Sequence, residues 1–284
     1  MSAGLHDILR QGAGRLAATL GLDPREARLE VQILLCHVLD KPRSWLIRHD
    51  RDELQAPSSY ADLLARRLTG EPIAYLIGKR EFFGLEFKTT PAVLIPRPET
   101  ELLVELALAR IPENRPCKVL DLGTGSGAIA ISLAKNRPQV TVTAIDQSLE
   151  ALAVARENAA RLDTPKLRLL HSNWFSALAS ETFDLIVSNP PYVEAADPHL
   201  QRGDVRFEPL SALAAGVDGL DDIRRIAAAA PHHLKKPGGW LLFEHGYNQG
   251  EGCRKILRQQ GFSEVATICD LAGLERVSVG LSAD

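Results

Sequence analysis

The stretch Val119-Leu120-Asp121-Leu122-Gly123-Thr124-Gly125-Ser126-Gly127-Ala128 decides the fold of this 284-residue chain. Its apolar start predicts a short buried strand, and the glycines that follow let the backbone turn sharply into a helix at Ala128. Gly123, Gly125 and Ala128 satisfy a dinucleotide-binding fingerprint, in which the backbone after a strand closely approaches a bound nucleotide. The loop therefore predicts an α/β domain with a nucleotide-type ligand, without choosing among such ligands.

Strands and helices alternate after this loop, which indicates a mainly parallel sheet covered by helices on both faces. Two closely spaced apolar segments near the end of the chain predict an antiparallel strand pair at one end of the sheet. The strands are predicted at Val119–Leu122, Val140–Ile145, Leu167–His171, Leu185–Ser188, Trp240–Glu244, Glu264–Ile268 and Glu275–Leu281, and two of the helices at Ala128–Asn136 and Leu149–Arg161.

The first 70 residues predict a small helical domain. Asp23-Pro24-Arg25-Glu26 is typical of a helix start, Ser44 is placed as the cap of a short helix, and Pro57–Leu68 has helical spacing. In residues 71–98, Tyr75–Gly78 and Phe82–Phe87 have β-type composition and predict a hairpin within a proline-rich linker. Glu101–Arg110 then predicts the first helix of a third part, residues 99–284.

The composition narrows the class of protein. A net charge of -3 lacks the basic excess usual in proteins that hold duplex nucleic acid by its phosphates, although a local basic patch stays compatible with it. The four cysteines form neither a CxxC pair nor a zinc-ligand spacing with histidine, so we expect reduced thiols and no metal site. No signal peptide or membrane-spanning run is recognisable, so we expect a cytoplasmic protein without a membrane partner.

Two residues beyond the loop extend the nucleotide site. Asp146 ends the second strand, where a carboxylate can accept hydrogen bonds from both ribose hydroxyls of an adenosine, and it also suits a helix cap. Trp174 follows the third strand and is compatible with packing on adenine or with core burial. These residues suit NAD and S-adenosylmethionine alike.

Asn189-Pro190-Pro191-Tyr192, at the end of the fourth strand, decides between these cofactors. The two prolines remove two N–H donors, which leaves the Asn189 side-chain oxygen and the Pro190 carbonyl as acceptors, and Tyr192 adds a ring that can stack on a flat group. This set suits an NH2 group on a planar π-system, where two acceptors hold both hydrogens and aim the nitrogen lone pair. A dehydrogenase needs a hydride acceptor site, often with a His or Lys acid, and the end of the fourth strand offers none. We therefore predict a methyltransferase that uses S-adenosylmethionine and releases S-adenosylhomocysteine.

These motifs resemble those of the release factor glutamine methyltransferase family, within the class I methyltransferases that modify planar amino groups. The resemblance covers nearly the whole chain. It includes Gly70–Leu76, Phe82–Gly84, Leu94–Thr100, the glycine loop, the Asn189–Tyr192 motif and Asp204–Pro209.

The resemblance implies a Rossmann-like seven-stranded sheet, mostly parallel with an antiparallel last strand, a small N-terminal helical domain and a β-hairpin linker. It also implies N5 methylation of the glutamine in the Gly-Gly-Gln motif of class I peptide-chain release factors, with residues 1–70 helping to grip that partner. The implied site has Gly123, Thr124, Gly125, Ser126 and Gly127 at the methionine part of the cofactor, Asp146 at the ribose and Trp174 at the adenine. It has Asn189 to Tyr192 at the glutamine amide, with Asn189, Pro190 and Tyr192 as catalytic residues and Asn189 also in contact with the cofactor, and Phe82, Phe83 and Arg97 as further walls.

Two alternatives stay open at this point. The same pocket suits an amino-group methyltransferase acting on adenine or cytosine; the mild acidity and the lack of an evident recognition insertion argue against DNA, and RNA is harder to exclude. The glycine loop and Asp146 are also compatible with a nicotinamide-dependent oxidoreductase or a binding module without catalysis.

Overall fold

The structure is a computed structural model that describes residues 3–283, so residues 1, 2 and 284 of the predicted domains lie outside it. The chain folds into two compact units, one with residues up to Lys79 together with Gln201–Phe207, the other with Arg80–Leu200 and the residues from Glu208 onward. Within residues 3–283, no helix is long and apolar enough to cross a membrane. The same residues contain no group of three or more His, Cys, Asp or Glu side chains arranged to hold a metal ion.

The first unit is helical and has its own apolar core, which includes Leu9, Leu35 and Leu64. As predicted, α2 begins at Pro24 and is capped by Asp23, whose side chain accepts a hydrogen bond from the Arg25 N–H at 2.8 Å. Its elements are β1 (Ala3–Gly4), α1 (Leu5–Leu20), α2 (Pro24–Leu39), α3 (Arg43–Arg48), β2 (Glu53–Leu54), α4 (Ser58–Leu68) and α5 (Ile73–Ile77).

Two local predictions in this unit are wrong. Tyr75–Ile77 belongs to helix α5 rather than to a strand, because Pro72 before the helix and Gly78 in the left-handed region after it are helix boundaries that outweigh the β-type composition. Leu76 thereby packs into the helical core. Ser44 is not a cap, since α3 begins at Arg43, directly after Pro42, so that Ser44 lies within the helix.

The predicted division at residues 70 and 98 also differs from the compact units. Residues 71–79 fold with the helices, and Gln201–Phe207 does so too, although it is distant in sequence. The guanidinium of Arg67, which is 2% exposed, donates to Glu30 at 2.7 Å and to Asp204 at 2.8 Å. A buried cation needs paired carboxylates, and one of the two comes from this returning segment.

The second unit is built on a seven-stranded sheet with the order β10-β11-β9-β8-β5-β6-β7. Its strands are β5 (Cys117–Leu122), β6 (Val140–Asp146), β7 (Arg168–His171), β8 (Leu185–Ser188), β9 (Trp240–Glu244), β10 (Phe262–Cys269) and β11 (Glu275–Ser282). The strands from β7 to β9 pair in parallel, and β11 pairs antiparallel with both neighbours, as predicted. The predicted strands and the antiparallel pair are thus confirmed, with ends that move by one or two residues.

Helices cover both faces of this sheet. They are α6 (Glu101–Arg110), α7 (Ala128–Asn136), α8 (Leu149–Arg161), α9 (Asp221–His233) and α10 (Gly250–Gln259). Neighbouring strand residues point to opposite faces, so Val119 packs in a cluster with Ile131 of α7, while Leu120 packs in another cluster with Ile226 of α9. The hairpin β3 (Lys79–Phe82) and β4 (Leu85–Lys88) forms a separate two-stranded sheet.

The strand order places the ligand site. The chain runs from β5 outward through β6 to β7 and then returns to the other side of β5 as β8. In open α/β sheets, the crevice at such a reversal, beyond the carboxyl ends of the strands, binds ligands. Gly123 and Asn189, which follow β5 and β8, therefore flank one crevice.

Candidate active site

A cavity of about 350 Å³ lies at the carboxyl ends of these strands, within the second unit. Its walls come from the segments that follow β5, β6, β7 and β8 and from the proline-rich stretch before α6. The lining residues include Phe82, Pro91, Val93, Leu94, Pro96, Arg97, Thr100, Gly123, Thr124, Gly125, Ser126, Asp146, Gln147, Ser148, Glu150, Ser172, Trp174, Asn189, Pro191, Pro209, Ser211 and Ala212.

The glycine loop is held by its own backbone. The N–H groups of Gly123 and Thr124 both donate to the carbonyl oxygen of Ile145, each at 2.9 Å, and the Gly125 N–H donates to the Asp146 carboxylate at 2.8 Å. The first three amides of the loop are therefore bonded to β6 and not left for a ligand. The loop contributes shape to the cavity more than hydrogen-bond donors.

Gly125 and Gly127 have different surroundings, although both lie in the left-handed region, with φ of 55° and 83°. A Cβ added to Gly125 would meet nothing within 4 Å, whereas one added to Gly127 would lie 2.9 Å from the Ile131 Cδ1. Gly127 is absent from the described residues that line the cavity. Its lack of a side chain lets α7 begin close to the loop, while Gly125 keeps the cavity open.

Asp146 connects the loop to the next helix. One of its carboxylate oxygens accepts from the Gly125 N–H and the other from the Ser148 N–H, at 2.8 and 2.9 Å. Burial raises the pKa of Asp146, and these backbone donors act against that rise. A carboxylate has about four acceptor positions, so Asp146, which lines the cavity, keeps acceptor capacity beyond these two bonds.

Trp174 forms a wall at the end of β7. Its ring lies 3.6 Å from the position that a Cβ on Gly123 would take, and its indole N–H donates to Asp222 at 3.3 Å. The φ of Trp174 is 48°, an uncommon value for a bulky residue. An amphipathic ring held in this way offers an apolar surface to the cavity.

Asn189 enters the cavity from the β8 side with a defined amide orientation. Its Nδ2 group donates to the Oγ1 of Thr100 at 3.0 Å, which leaves the side-chain oxygen as the free acceptor. Thr100 is 4% exposed and also lines the cavity. The structure thus brings Asn189 and Pro191 to the same cavity as the glycine loop and Asp146.

The other two residues of the motif lie behind this surface. Pro190 is buried, and the Tyr192 hydroxyl donates to the Oε1 of Glu244 at 3.1 Å. Burial raises the pKa of Tyr192 far above its usual value. Neither residue is among the described residues that line the cavity, so their predicted contact with a ligand stays a prediction.

Three residues of this region with an acidic or hydroxyl side chain were not predicted from the sequence as part of the site. Thr100 holds Asn189, Glu244 holds Tyr192, and the fully buried Glu208 carboxylate accepts from the Ile95 N–H at 3.0 Å and from the Arg97 guanidinium. Phe82 and Arg97 line the cavity as expected, but Phe83 is absent from its described walls. One signal in the sequence points to Glu244. It is the glutamate that ends the apolar strand Trp240–Glu244, which lies beside the strand that leads into Asn189.

Comparison with known proteins decides the family. Residues 7–78 match the family described as PrmC N-terminal domain, and residues 97–203 match the methyltransferase small domain. The release factor glutamine methyltransferase of Vibrio cholerae is 53% identical over 257 residues, which cover 89% of this chain and 88% of that protein. Its Escherichia coli counterpart is 45% identical and 96% of each chain is covered.

This chain belongs to the release factor glutamine methyltransferase family.

Solved structures agree with the fold of this family member. A methyltransferase from Pyrococcus furiosus has a TM-score of 0.55 at 20% identity, covering 79% of this chain and 100% of that one. A 16S rRNA methyltransferase from T. thermophilus, solved with AdoMet and guanosine, has a TM-score of 0.53 at 23% identity, covering 72% of this chain and 49% of that one. At these identities the likeness concerns the fold alone.

The cavity fits S-adenosylmethionine. Asp146 lines the cavity with acceptor capacity that suits ribose hydroxyls, and Trp174 and the apolar stretch from Pro91 to Leu94 offer walls for a flat base. Gly125 leaves open space where any other residue would place a Cβ. The methyltransferase domain implies dependence on this cofactor.

Proposed function

We propose that this protein transfers a methyl group from S-adenosylmethionine to the side-chain amide nitrogen (N5) of the glutamine in the Gly-Gly-Gln motif of class I peptide-chain release factors. The relatives that align over nearly the whole chain carry the name release factor glutamine methyltransferase. The family supplies the identity of the substrate, and the site supplies the chemistry.

The orientation of the Asn189 amide is the observation that carries this proposal. Because its Nδ2 group is bonded to Thr100, its oxygen is the atom offered to a ligand in the cavity. An oxygen acceptor at this point selects a substrate with N–H donors, such as a primary amide. The Pro190 carbonyl, which precedes a residue without an N–H, is proposed as the acceptor for the second hydrogen.

These acceptors address the weakness of an amide nitrogen as a nucleophile. Its lone pair is delocalised, and two acceptors that grip both hydrogens favour the geometry in which the lone pair points at the methyl group. The grip strengthens as positive charge develops on the nitrogen, so it stabilises the transition state more than the ground state. S-adenosylmethionine supplies the methyl group as an electrophile bound to a sulfonium. The amide nitrogen gains the bond to carbon and then releases one proton to solvent.

The remaining site residues receive their proposed roles from their positions. Gly123–Ser126 shape the methionine end of the cofactor site, Asp146 holds the ribose and Trp174 contacts the adenine side. Gly127 supports the helix behind the loop. Pro191 completes the wall around the glutamine amide, and Tyr192, which lies behind that wall, is proposed to act through its position in the motif.

The helical unit is proposed to bind the release factor. Its predicted extent, residues 1–70, falls within the part that matches the PrmC N-terminal domain. Because release factors work with ribosomes, we also propose a cytoplasmic location. A nucleic acid is not the proposed substrate.

Mass spectrometry of a class I release factor after reaction with this protein tests the proposal. We expect one added methyl group on the glutamine of the Gly-Gly-Gln motif and none on a matched release factor with glutamate at that position. The same reaction with RNA and DNA in place of the release factor should leave both unlabelled by methyl-tritiated cofactor.

Two outcomes would contradict the proposal. Label found in nucleic acid alone would favour the adenine or cytosine methyltransferase, which shares the planar amino group but not the family relationship. Calorimetric binding of NADH without binding of S-adenosylhomocysteine would overturn the cofactor.

A further inference from the structure

Gln249 connects three loops of the second unit through its side-chain amide. Its Nε2 group donates to the carbonyl oxygen of Tyr192 at 2.9 Å and to that of Asp218 at 3.2 Å. Its Oε1 atom accepts from the Gly246 N–H at 2.8 Å. A primary amide has two N–H donors and one acceptor oxygen, and here both donors and the oxygen have partners of matching polarity. These partners therefore fix the direction of the Gln249 amide.

Gln249 also precedes α10, but its side chain does not serve that helix. The residue takes the N-cap position, and in the part of the chain that the structure describes its side chain makes no capping hydrogen bond. The residues favoured at this position are shorter, and their side-chain oxygens accept from the first helical amides. Capping of α10 therefore gives no reason for a glutamine here, whereas the three bonds to other loops use the whole side chain.

The backbone at Gly219 packs directly against the bond between Gln249 and Tyr192. A Cβ at Gly219 would overlap the Tyr192 carbonyl oxygen and lie 2.8 Å from the Gln249 Nε2 atom. The φ of Gly219 is 71°, a value that favours glycine. The lack of a side chain at this residue thus lets the backbone cover the bond, and a hydrogen bond that is partly shielded from water is stronger than an exposed one.

The Asn189–Tyr192 motif depends on support from outside because its two prolines provide no N–H donor to hold the turn. The first backbone donor after the prolines is the Tyr192 N–H, which bonds to the carbonyl oxygen of Leu213 at 3.1 Å. The Val193 N–H bonds to the same oxygen at 2.8 Å. Gln249 holds the Tyr192 carbonyl, which lies between these two amides, so the backbone at the end of the motif is fixed from two sides.

Little conformational freedom separates Tyr192 from the carbonyl group of Pro190. The ring of Pro191 fixes its φ at about −65°, and peptide bonds are planar, so only the ψ of Pro191 can change between the Pro190 carbonyl and the Tyr192 N–H. A shift of the Tyr192 backbone therefore turns the Pro190 carbonyl. This carbonyl is the acceptor proposed for the second hydrogen of the substrate amide.

We propose that Gln249 is a positioning residue that fixes the Tyr192 backbone and, through Pro191, the direction of the Pro190 carbonyl. The inference rests on the proposed function, because it gives that carbonyl a task in holding the substrate amide. Gln249 is not among the described residues that line the cavity, so it acts through the turn and not on the ligand.

Gln249→Glu and Gln249→Met test this role because both variants keep the length of the side chain. The first turns an oxygen toward the two carbonyls and repels them, while the second removes the donors without adding a charge. We expect kcat to fall by about 100-fold in Gln249→Glu and by about tenfold in Gln249→Met, the scale of a displaced reacting group. The dissociation constant for S-adenosylhomocysteine should change by less than about threefold in both, since the glycine-loop side is untouched.

Gln259→Glu is the matched control, because it makes the same substitution at an exposed glutamine at the other end of α10. It should keep the wild-type kcat. A wild-type kcat in both Gln249 variants would overturn the inference.

The pH profile of Gln249→Glu distinguishes positioning from a general loss of structure. A protonated carboxyl has an O–H donor, so the introduced group should again bond to one of the carbonyls at low pH. The ratio of its kcat to that of the wild type should therefore rise as pH falls from about 8 to about 5, where partly buried carboxyls beside acceptors take up protons. The same ratio for Gln249→Met should stay constant. A ratio that does not rise in Gln249→Glu would contradict the role of the donor.

A spectroscopic measurement separates this inference from the proposed function. Tyr192 is the one tyrosine of the sequence that is followed by valine, so 13C at tyrosine carbonyl carbons and 15N at valine isolate the peptide between Tyr192 and Val193. Its carbonyl signal should move in both Gln249 variants and stay in place in Gln259→Glu. An unchanged signal would refute the role of Gln249, whereas a wild type that leaves the release-factor glutamine unmethylated would refute the function and leave this signal as the test of Gln249.

Discussion

The two sides of the cavity are built in different ways. On the glycine-loop side, backbone amides donate to Ile145 and Asp146 on the neighbouring strand, and the shape comes from residues close in sequence. On the Asn189 side, the geometry comes from side-chain hydrogen bonds between segments distant in sequence, from Asn189 to Thr100 and from Tyr192 to Glu244. The first side is made for binding and tolerates little change in backbone, while the second is made for orientation and depends on single polar atoms.

Asn189→Ala is expected to have the largest effect and to separate these two roles. It removes the acceptor that stabilises the reacting nitrogen, so kcat should fall by about 100- to 1,000-fold. Affinity for S-adenosylhomocysteine, measured by calorimetry, should stay within about threefold because the loop side is untouched. Asn114→Ala, at an exposed asparagine outside the cavity, serves as the control. Turnover retained in Asn189→Ala would refute the role given to its side chain.

Asp146→Ala should give the opposite pattern. The variant loses the acceptors for ligand hydroxyls and the bond that anchors the Gly125 N–H, which together amount to about 3 kcal/mol, or roughly 100-fold in the dissociation constant for S-adenosylhomocysteine. At saturating cofactor, kcat should fall by less than about tenfold, since the Asn189 side is intact. Asp62→Ala, at an exposed aspartate of α4, should bind normally. A kcat loss without an affinity loss would reverse the assignment of the two sides.

The sequence predicts the glycine-loop side of the cavity better than the Asn189 side, because the loop side is built from residues close in sequence. α7 at Ala128–Asn136 and α8 at Leu149–Arg161 begin and end where local spacing and caps predict, and so do β8 and β9. The bond between Asn189 and Thr100 spans 89 positions of sequence, and no local pattern records it. The role of Asn189 is nevertheless predictable from the sequence, because the prolines beside it form an unusual composition that calls for a chemical explanation.

The packing of segments that are distant in sequence was not predicted for a similar reason, since no local pattern records such contacts. Gln201–Phe207 belongs to the helical unit because Asp204 pairs with the buried Arg67, a contact between residues 137 positions apart. In Ile73–Ile77, composition favoured a strand, whereas the flanking Pro72 and Gly78 and the burial of Leu76 in the helical core favoured a helix. Tertiary burial overrides weak local preference in such short segments.

Asp121 on the loop side makes the stability of the fold depend on pH. This residue of β5 is fully buried, and it accepts from the Thr124 hydroxyl at 2.7 Å while its other oxygen has no partner among the described residues. Burial raises the pKa of Asp121 from 3.8 to about 7. The folded state therefore binds the proton more tightly than the unfolded state, and the free energy of unfolding falls as pH rises from about 4 to 7.

Asp121→Asn should remove this dependence. Relative to the wild type, the variant should gain about 2 to 3 kcal/mol of unfolding free energy between pH 5 and pH 8, since each unit of pKa corresponds to about 1.4 kcal/mol. Urea unfolding followed by fluorescence at both pH values measures this difference. Asp163→Asn, at an exposed aspartate, is the control. A variant-minus-wild-type difference that stays constant over this range would show that Asp121 remains ionised in the fold.

Gly125→Ala and Gly127→Ala are expected to have the smallest effects and to divide the loop side further. Both place a Cβ at positive φ, which costs about 1 to 2 kcal/mol. At Gly127 the Cβ also lies 2.9 Å from the Ile131 Cδ1, so we expect a total loss of about 2 to 3 kcal/mol in unfolding free energy. At Gly125 it meets no protein atom within 4 Å, so the stability loss should be about 1 kcal/mol.

Ligand affinity should rank these two variants in reverse. A Cβ at Gly125 occupies open space beside the cavity and should weaken S-adenosylhomocysteine binding by about tenfold, the equivalent of 1.4 kcal/mol, whereas Gly127→Ala should bind almost normally once folded. Urea unfolding should therefore show the larger stability loss in Gly127→Ala, and calorimetry should show the larger affinity loss in Gly125→Ala. Equal affinity losses in both variants would mean that Gly127 contacts the cofactor after all, as the sequence had predicted, and that the loop side binds through all of Gly123–Gly127 and not through its first four residues.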